Sequence, residues 1–110
     1  MAIKLAGYDF DGPTRLTDWE PPYRAGVYCI CWRKKPDTEP STYYPIYFGE
    51  SSNLSERGFV SHHKRSCWIR EAGSESKLYV CVHLMPNSTA EGRGRVEQEC
   101  IAKHDGACND

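Results

Sequence analysis

The chain of 110 residues carries 14 Lys and Arg against 15 Asp and Glu, which gives a net charge of −1 at pH 7. A chain of this length with 39% apolar residues predicts one domain with a modest core. Its nearly neutral charge excludes a strong overall electrostatic attraction for nucleic acid. No apolar run approaches the ~20 residues that span a bilayer, and the first residues lack a signal-peptide pattern. We therefore expect a cytoplasmic protein without membrane association.

The first part of the chain is rich in turn formers and shows no sustained hydrophobic period. We predict that residues 1–24 form an irregular arm packed on a core domain at 25–110. The run "GVYCICW" at 26–32 is β-branched, aromatic and cysteine-rich, which predicts a strand. The run "YYPIYFG" at 43–49 predicts the return strand of a hairpin, and Pro45 places that strand at an edge of the sheet.

Helical and central-strand signals follow this hairpin. Asn53, with Glu56 three residues later, has the spacing of a capping box and predicts a helix start. Residues 78–85 are apolar on both alternating faces apart from one histidine, which predicts a central strand. Residues 95–104 predict the last helix. Together these elements predict a small α/β domain of the α+β kind, with a three-stranded, mostly antiparallel sheet flanked by helices.

Six cysteines in a short chain raise the question of disulfides or zinc. Cys29, Cys31 and Cys81 lie inside apolar strand-like runs, where a free cysteine behaves as a small buried hydrophobe. Without an export signal, reduced thiols are the expectation. The chain has neither a C-x-x-C knuckle nor an H-x3-5-H pair, so we do not expect structural zinc.

Positive charge is concentrated in one segment, residues 57–70, which contains two histidines and no acidic residue. Its cationic side chains are Arg57, Lys64, Arg65 and Arg70. A basic face on a neutral protein is a weak sign of a phosphate-bearing partner. A solvated helix surface explains the same charges equally well.

The last predicted helix places a carboxylate on its apolar face. Glu97, Cys100, Ile101 and His104 follow the i, i+3, i+4, i+7 spacing of one helix face. A buried carboxylate is costly unless it is paired or binds a metal. The alternative is that Glu97 lies at the border of this face and pairs with an arginine such as Arg93.

Five positions in order resemble the signature of the GIY-YIG nuclease family, over roughly residues 25–110. Tyr28 stands in Gly-Val-Tyr where the family has Gly-Ile-Tyr, and Tyr47 stands in Tyr-Phe-Gly where it has Tyr-Ile-Gly. Arg57 follows eight residues after the glycine of the second motif. Glu97 matches the metal-binding glutamate, and Asn109 matches the asparagine that closes the motif.

A group of short stand-alone members of that family is similar over further segments. These members carry an "FDGP…W-PP" arm before the first motif, as residues 10–13 and 19–22 do here. They also carry "HHK…CW" after the arginine, as residues 62–68 do here.

The resemblance implies a GIY-YIG fold and hydrolysis of DNA phosphodiesters with one divalent ion, Mg²⁺ or Mn²⁺, held by Glu97. Arg57 would clamp the scissile phosphate, since its guanidinium is fork-shaped and always charged. Tyr28 would position or deprotonate the attacking water, Tyr47 would share that work, and Asn109 would hold the geometry of the site.

The resemblance also implies a histidine after the arginine that assists proton transfer, for which His62 and His63 are both candidates. Either could instead be a surface phosphate contact. DNA, branched or damaged, is the expected partner, with recognition supplied by a homodimer or another chain, and the expected DNA contacts are Arg57, Lys64, Arg65 and Arg70. A non-cleaving nucleic-acid-binding module of the same fold and a structural protein without a nucleic-acid role are the competing interpretations.

Overall fold

The computed structural model describes residues 2–33, 43–56, 62–104 and 106–109. The five strands are β1 Ala2–Leu5, β2 Tyr8–Arg15, β3 Gly26–Arg33, β4 Tyr43–Ser51 and β5 Leu78–Leu84. They form one antiparallel sheet in the order β1-β2-β5-β3-β4, curled into a half-barrel. The two α-helices are α1 Arg65–Ala72 and α2 Ala90–His104. Short 3-10 turns lie at Leu16–Asp18, Leu54–Glu56 and Glu75–Lys77. The α+β class is confirmed.

The prediction of a three-stranded sheet is wrong, because the arm at residues 1–24 supplies two more strands. β1 and β2 pair as a hairpin across a tight turn, in which Ala6 and Gly7 have φ of 54° and 86°. Gly12 has φ of 107° at a register shift in the pairing of β2 with β5. The residues of "DGP" therefore form a bulge within a strand, and this bulge hides the period of two on which strand prediction depends.

The three predicted strands are present with nearly the predicted bounds. β3 and β4 form an antiparallel hairpin, and β4 lies at the edge of the sheet, where Pro45 costs no ladder hydrogen bond. β5 lies between β2 and β3, and successive side chains from Leu78 to Val82 are buried in the two core layers on either face of the sheet. The apolar, β-branched composition of β3 and β5 is what a strand buried on two faces requires.

Side chains of the sheet form two core layers, one on each face. The layer covered by α1 contains Leu16, Tyr28, Ile30, Ile46, Leu54, Trp68, Ala72, Leu78, Val80, Val82 and Cys108. The layer covered by α2 contains Leu5, Phe10, Val27, Cys29, Cys31, Phe48, Tyr79, Cys81, Val96 and Cys100. Because successive side chains of a strand alternate between faces, Tyr28 points to the α1 layer while Val27 and Cys29 point to the α2 layer.

Both helices differ from their predicted starts. Among the described residues, Asn53 is followed by the 3-10 turn at Leu54–Glu56 and α1 begins at Arg65, and the Asn53 Oδ1 accepts a hydrogen bond from the Ser55 N–H at 3.1 Å. α2 ends at His104 as predicted but begins at Ala90, five residues before the predicted start. Thr89 precedes it, and its Oγ1 accepts a hydrogen bond from the Gly92 N–H at 3.0 Å, which is the geometry of an N-cap.

The expectation of reduced thiols holds for four cysteines and is wrong for two. Cys29, Cys31, Cys81 and Cys100 are buried and free, and burial raises the pKa of the Cys29 thiol well above its usual value. A disulfide joins Cys67 of α1 to Cys108 near the end of the chain. Its partners lie 41 residues apart in sequence, so no local pattern indicated that they meet.

In the part of the chain that the structure describes, no helix is long and apolar enough to cross a membrane.

Candidate active site

A hydrogen bond joins two of the predicted catalytic residues. The Tyr28 hydroxyl of β3 lies 3.1 Å from Nε2 of His62, just before α1. The backbone N–H of Lys64 donates to Nδ1 of the same ring at 3.0 Å. Since Nδ1 is occupied as an acceptor, the neutral ring carries its proton on Nε2. The His62 N–H therefore donates to the Tyr28 oxygen.

Aromatic rings hold this pair from the side. The Tyr47 ring lies 6.1 Å from the Tyr28 ring and 5.3 Å from the His62 ring, centroid to centroid. The fully buried Trp68 of α1 packs behind both, 5.5 Å from Tyr47 and 4.6 Å from His62. Three of the predicted site residues are thus brought together as one cluster, which we call the tyrosine–histidine cluster (Tyr28, Tyr47 and His62).

His63 does not occupy the same position as His62. It is exposed and stacks on the outer side of the His62 ring at 4.6 Å. Of the two candidate histidines, the structure therefore places His62 against the tyrosines and His63 at the surface. Whether His62 acts in catalysis remains a prediction.

The glycine of the second motif makes room for the Tyr28 ring. Gly49 is the cross-strand partner of Tyr28, and a Cβ at Gly49 would lie 2.3 Å from the Tyr28 oxygen and 2.4 Å from Cζ. The phenol therefore lies directly over the glycine backbone. Any larger residue at this position must push the hydroxyl away from His62.

Replacement of Gly49 by Ala is expected to lower stability by about 1–3 kcal/mol, the usual cost of overpacking, and to displace the Tyr28 hydroxyl from His62. Gly94→Ala is the matched control, because a Cβ at Gly94 meets no atom within 4 Å and Ala is favoured over Gly inside a helix by ~1 kcal/mol. Thermal unfolding followed by circular dichroism should show a lower Tm for the first variant and a higher Tm for the second. A Gly49→Ala protein that unfolds at the wild-type temperature would contradict the contact.

Asn109 holds the backbone of β4 beside the tyrosine–histidine cluster. Its Oδ1 accepts the Phe48 N–H and its Nδ2 donates to the Phe48 carbonyl, both at 2.9 Å. The neighbouring Cys108 N–H donates to the Ile46 carbonyl, also at 2.9 Å. Phe48 lies between Tyr47 and Gly49, so this clamp fixes the strand segment that carries both motif residues.

Glu97 lies next to a second carboxylate that sequence reasoning missed, that of Glu50 at the end of β4. Partial burial raises the pKa of Glu97 above its usual value, and the nearby charge of Glu50 raises it further. Among the described residues, Glu97 has no ion-pair partner.

The alternative in which Glu97 pairs with Arg93 is wrong, because Arg93 pairs with Glu50. The Arg93 Nε donates to Glu50 Oε2 at 2.7 Å, and its Nη1 donates to the Ser88 carbonyl at 2.9 Å and hydroxyl at 3.0 Å. Arg93 is 5% exposed, so the guanidinium of this pair is buried. The one sequence feature that could have indicated this ion pair is a glutamate directly after Tyr-Phe-Gly. Its partner Arg93 lies 43 residues later in the chain.

Glu50 and Glu97, which we call the glutamate pair, lie on a different face of the sheet from the tyrosine–histidine cluster. Glu97 belongs to α2, which packs against β4 and β3 on the face opposite the Tyr28 ring. Across the described residues, no hydrogen bond or ion pair joins Glu97 to Tyr28, Tyr47 or His62. The two groups approach each other at β4. Gly49 contacts the Tyr28 ring, and the charge of the next residue, Glu50, raises the pKa of Glu97.

A divalent cation at this site would be held by few protein groups. Mg²⁺ keeps most of its waters and needs only one or two protein carboxylates; Glu97 would be the ligand, since Glu50 is ion-paired with Arg93. The described residues contain no group of three or more His, Cys, Asp or Glu that could hold a metal.

The predicted DNA contacts fall into different environments. Arg65, partly buried, forms an ion pair with Glu75. Lys64 precedes α1 and is half-buried, while Arg70 is exposed in the last turn of α1. Arg57 lies outside the described residues.

A scan against protein-family models finds no match, and neither the curated proteins nor the solved structures give a significant match to this chain.

Proposed function

We propose that this protein is a metal-dependent endonuclease of the GIY-YIG type, which hydrolyses phosphodiester bonds of DNA. The observation that carries the proposal is the bond from the His62 imidazole to the Tyr28 oxygen, in a tautomer set by the Lys64 N–H. A buried tyrosine oxygen needs a hydrogen-bond partner in any case, and here that partner is a histidine in a fixed tautomer, the residue type most often used for proton transfer. The five ordered motif positions in the sequence support the same conclusion.

In the proposed reaction, Tyr28 handles the attacking water. The N–H donated by His62 fixes the Tyr28 hydroxyl, which donates its own hydrogen bond to the attacking water and orients it toward phosphorus. The water's proton passes to bulk solvent as its oxygen bonds to phosphorus and the bond to the departing 3′ oxygen breaks. The Tyr47 ring keeps the pair in place, and Asn109 keeps β4 in register beside it.

Glu97, beside Glu50, would hold the single Mg²⁺ or Mn²⁺ ion. When bound, such an ion polarises the phosphate and stabilises the departing 3′ oxygen. Arg57 would hold the scissile phosphate, and exposed cations such as Arg70 would contact the DNA backbone at a salt-dependent affinity.

The adjacent histidines allow a matched test. Supercoiled plasmid and a flapped duplex are incubated with wild type, His62→Ala and His63→Ala, in Mg²⁺, in Mn²⁺ and in EDTA. We expect metal-dependent nicking that falls by about 100-fold in His62→Ala, because Tyr28 loses the donor that orients it and the attacking water is misplaced, and by less than about threefold in His63→Ala. Equal losses in the two variants, or nicking that persists in EDTA, would contradict the mechanism.

One observation favours the second candidate, a module that binds nucleic acid without cutting it. Glu97 and Tyr28 face opposite sides of the sheet, so a phosphate held by one group could lie out of reach of the other. Binding of both DNAs without nicking in either metal would establish this function instead.

A further inference from the structure

A polar pocket of about 450 Å³ lies beside Arg93, the ion-pair partner of Glu50. Its lining includes Tyr23, Arg24, Asn53, Asn87, Ser88 and Arg93. The volume lies within the range of about 300–1,000 Å³ that is usual for small-molecule sites. The mechanism proposed above uses none of these side chains directly.

Tyr23 is the most exposed large apolar side chain among the described residues, at 87%. The backbone that follows it is held from two sides. The Leu54 N–H donates to the Arg24 carbonyl and the Met85 N–H donates to the Ala25 carbonyl, each at 2.8 Å. An aromatic ring displayed on a fixed backbone loses little conformational freedom when a flat partner stacks on it.

The charge of the pocket suits a phosphate. Two arginines line it, and none of its lining residues is acidic. The Arg93 charge is balanced by Glu50 behind it, so Arg24, which is exposed, supplies the net positive charge. The amides of Asn53 and Asn87 add groups that can both donate and accept hydrogen bonds.

The pocket is connected to the proposed catalytic site through Arg93. Arg93 lines the pocket and binds Glu50. Glu50 follows Gly49, the residue on which the Tyr28 ring lies.

We propose that Tyr23 and Arg24 bind an unpaired nucleotide adjacent to the cleaved bond, with its base stacked on the Tyr23 ring and its phosphate on Arg24. The proposal rests on the nucleic-acid function proposed above and specifies its substrate. A base within a duplex is stacked on its neighbours and cannot offer a face to Tyr23, so the preferred substrate carries a single-stranded segment, such as a flap, next to the scissile phosphate.

Binding is measured in EDTA, where no cleavage occurs, by fluorescence anisotropy with a dT12 strand, a flapped duplex and a blunt duplex. Tyr23→Ala is expected to weaken binding of the dT12 strand and the flapped duplex by about tenfold, the effect of one lost stacking contact, and to leave the blunt duplex within twofold. Tyr23→Phe keeps the ring and should bind as wild type does. Arg24→Ala should weaken binding and reduce its salt dependence.

Tyr44→Ala is the matched control, since Tyr44 is 43% exposed and packs on Trp32 instead of lining the pocket. An equal loss in Tyr44→Ala, an equal loss on blunt duplex, or no loss in Tyr23→Ala would overturn the proposal. If wild type binds the dT12 strand through Tyr23 but cuts no DNA in Mg²⁺ or Mn²⁺, the nucleotide site stands and the nuclease activity is what fails. If wild type binds none of the three DNAs, both proposals fail.

Discussion

Replacement of Glu97 by Gln is expected to abolish metal-dependent cleavage and, at the same time, to raise the Tm at neutral pH. The loss of activity should exceed about 100-fold, because the metal is expected to supply several kcal/mol of transition-state stabilisation. The gain in Tm follows from the environment of Glu97, where partial burial and the charge of Glu50 disfavour the ionised carboxylate. A neutral amide of the same shape removes both penalties.

The pH dependence of this gain has a definite sign. A pKa raised in the folded state means that the folded protein binds the proton more tightly than the unfolded chain does. Glu97 therefore favours folding below its usual pKa, and this contribution is lost as the pH rises through the raised pKa. The Tm difference between Glu97→Gln and wild type should be largest at neutral pH and should disappear in acid.

The same shift predicts how wild-type metal binding depends on pH. As the pH is lowered, protons displace Mg²⁺ from Glu97 at a higher pH than they would from an ordinary carboxylate. The metal affinity should therefore begin to fall while the pH is still above the usual glutamate pKa. Isothermal titration with Mn²⁺ at several pH values measures this directly.

Glu91→Gln is the control, because Glu91 is exposed on the same helix and its side chain is 87% accessible. It should retain activity and Tm. A Glu97→Gln protein that nicks plasmid as wild type does would exclude Glu97 as the metal ligand. Lost activity with a lowered Tm would show that Glu97 is a structural residue.

The parts of the fold that were predictable have a strong local signal. β3 and β5 are continuous apolar runs, and Pro45 identifies β4 as an edge strand. The β1–β2 hairpin was missed because its bulge at Gly12 interrupts the alternation and its turn uses Ala6 at positive φ, which no composition rule indicates. The first turns of α2 were missed because "EGRGR" has low helix propensity, whereas packing and the Thr89 cap determine the real start.

Within the candidate site, only residues whose order along the chain matches a known motif could be predicted from the sequence. The tyrosines and His62 follow a recognisable order, and the structure brings them together. The Glu50–Arg93 pair and the Cys67–Cys108 disulfide join residues 43 and 41 positions apart. Pairing over such distances is decided by the tertiary fold, so neither was visible in spacing or composition.

Removal of the disulfide is expected to destabilise the protein by roughly 4 kcal/mol, the chain-entropy value for a loop of this length. This is a large share of the 5–15 kcal/mol that stabilises a typical domain. The Cys67→Ser/Cys108→Ser variant should therefore unfold more than ~10 °C below wild type. Dithiothreitol should lower the Tm of wild type to that of the variant and leave the variant unchanged.

The disulfide should also affect activity, through Asn109. It fixes Cys108 to α1, and the next residue clamps Phe48 between Tyr47 and Gly49. Reduction frees this tail, so we expect reduced wild type to lose activity to about the extent that oxidised Asn109→Ala does. Groups that act as one unit are not additive, so reduction of Asn109→Ala should cost little further activity. Additive losses of activity from reduction and from Asn109→Ala would show that the disulfide stabilises the fold without positioning the β4 segment. An unchanged Tm on reduction would show that the disulfide does not constrain the chain.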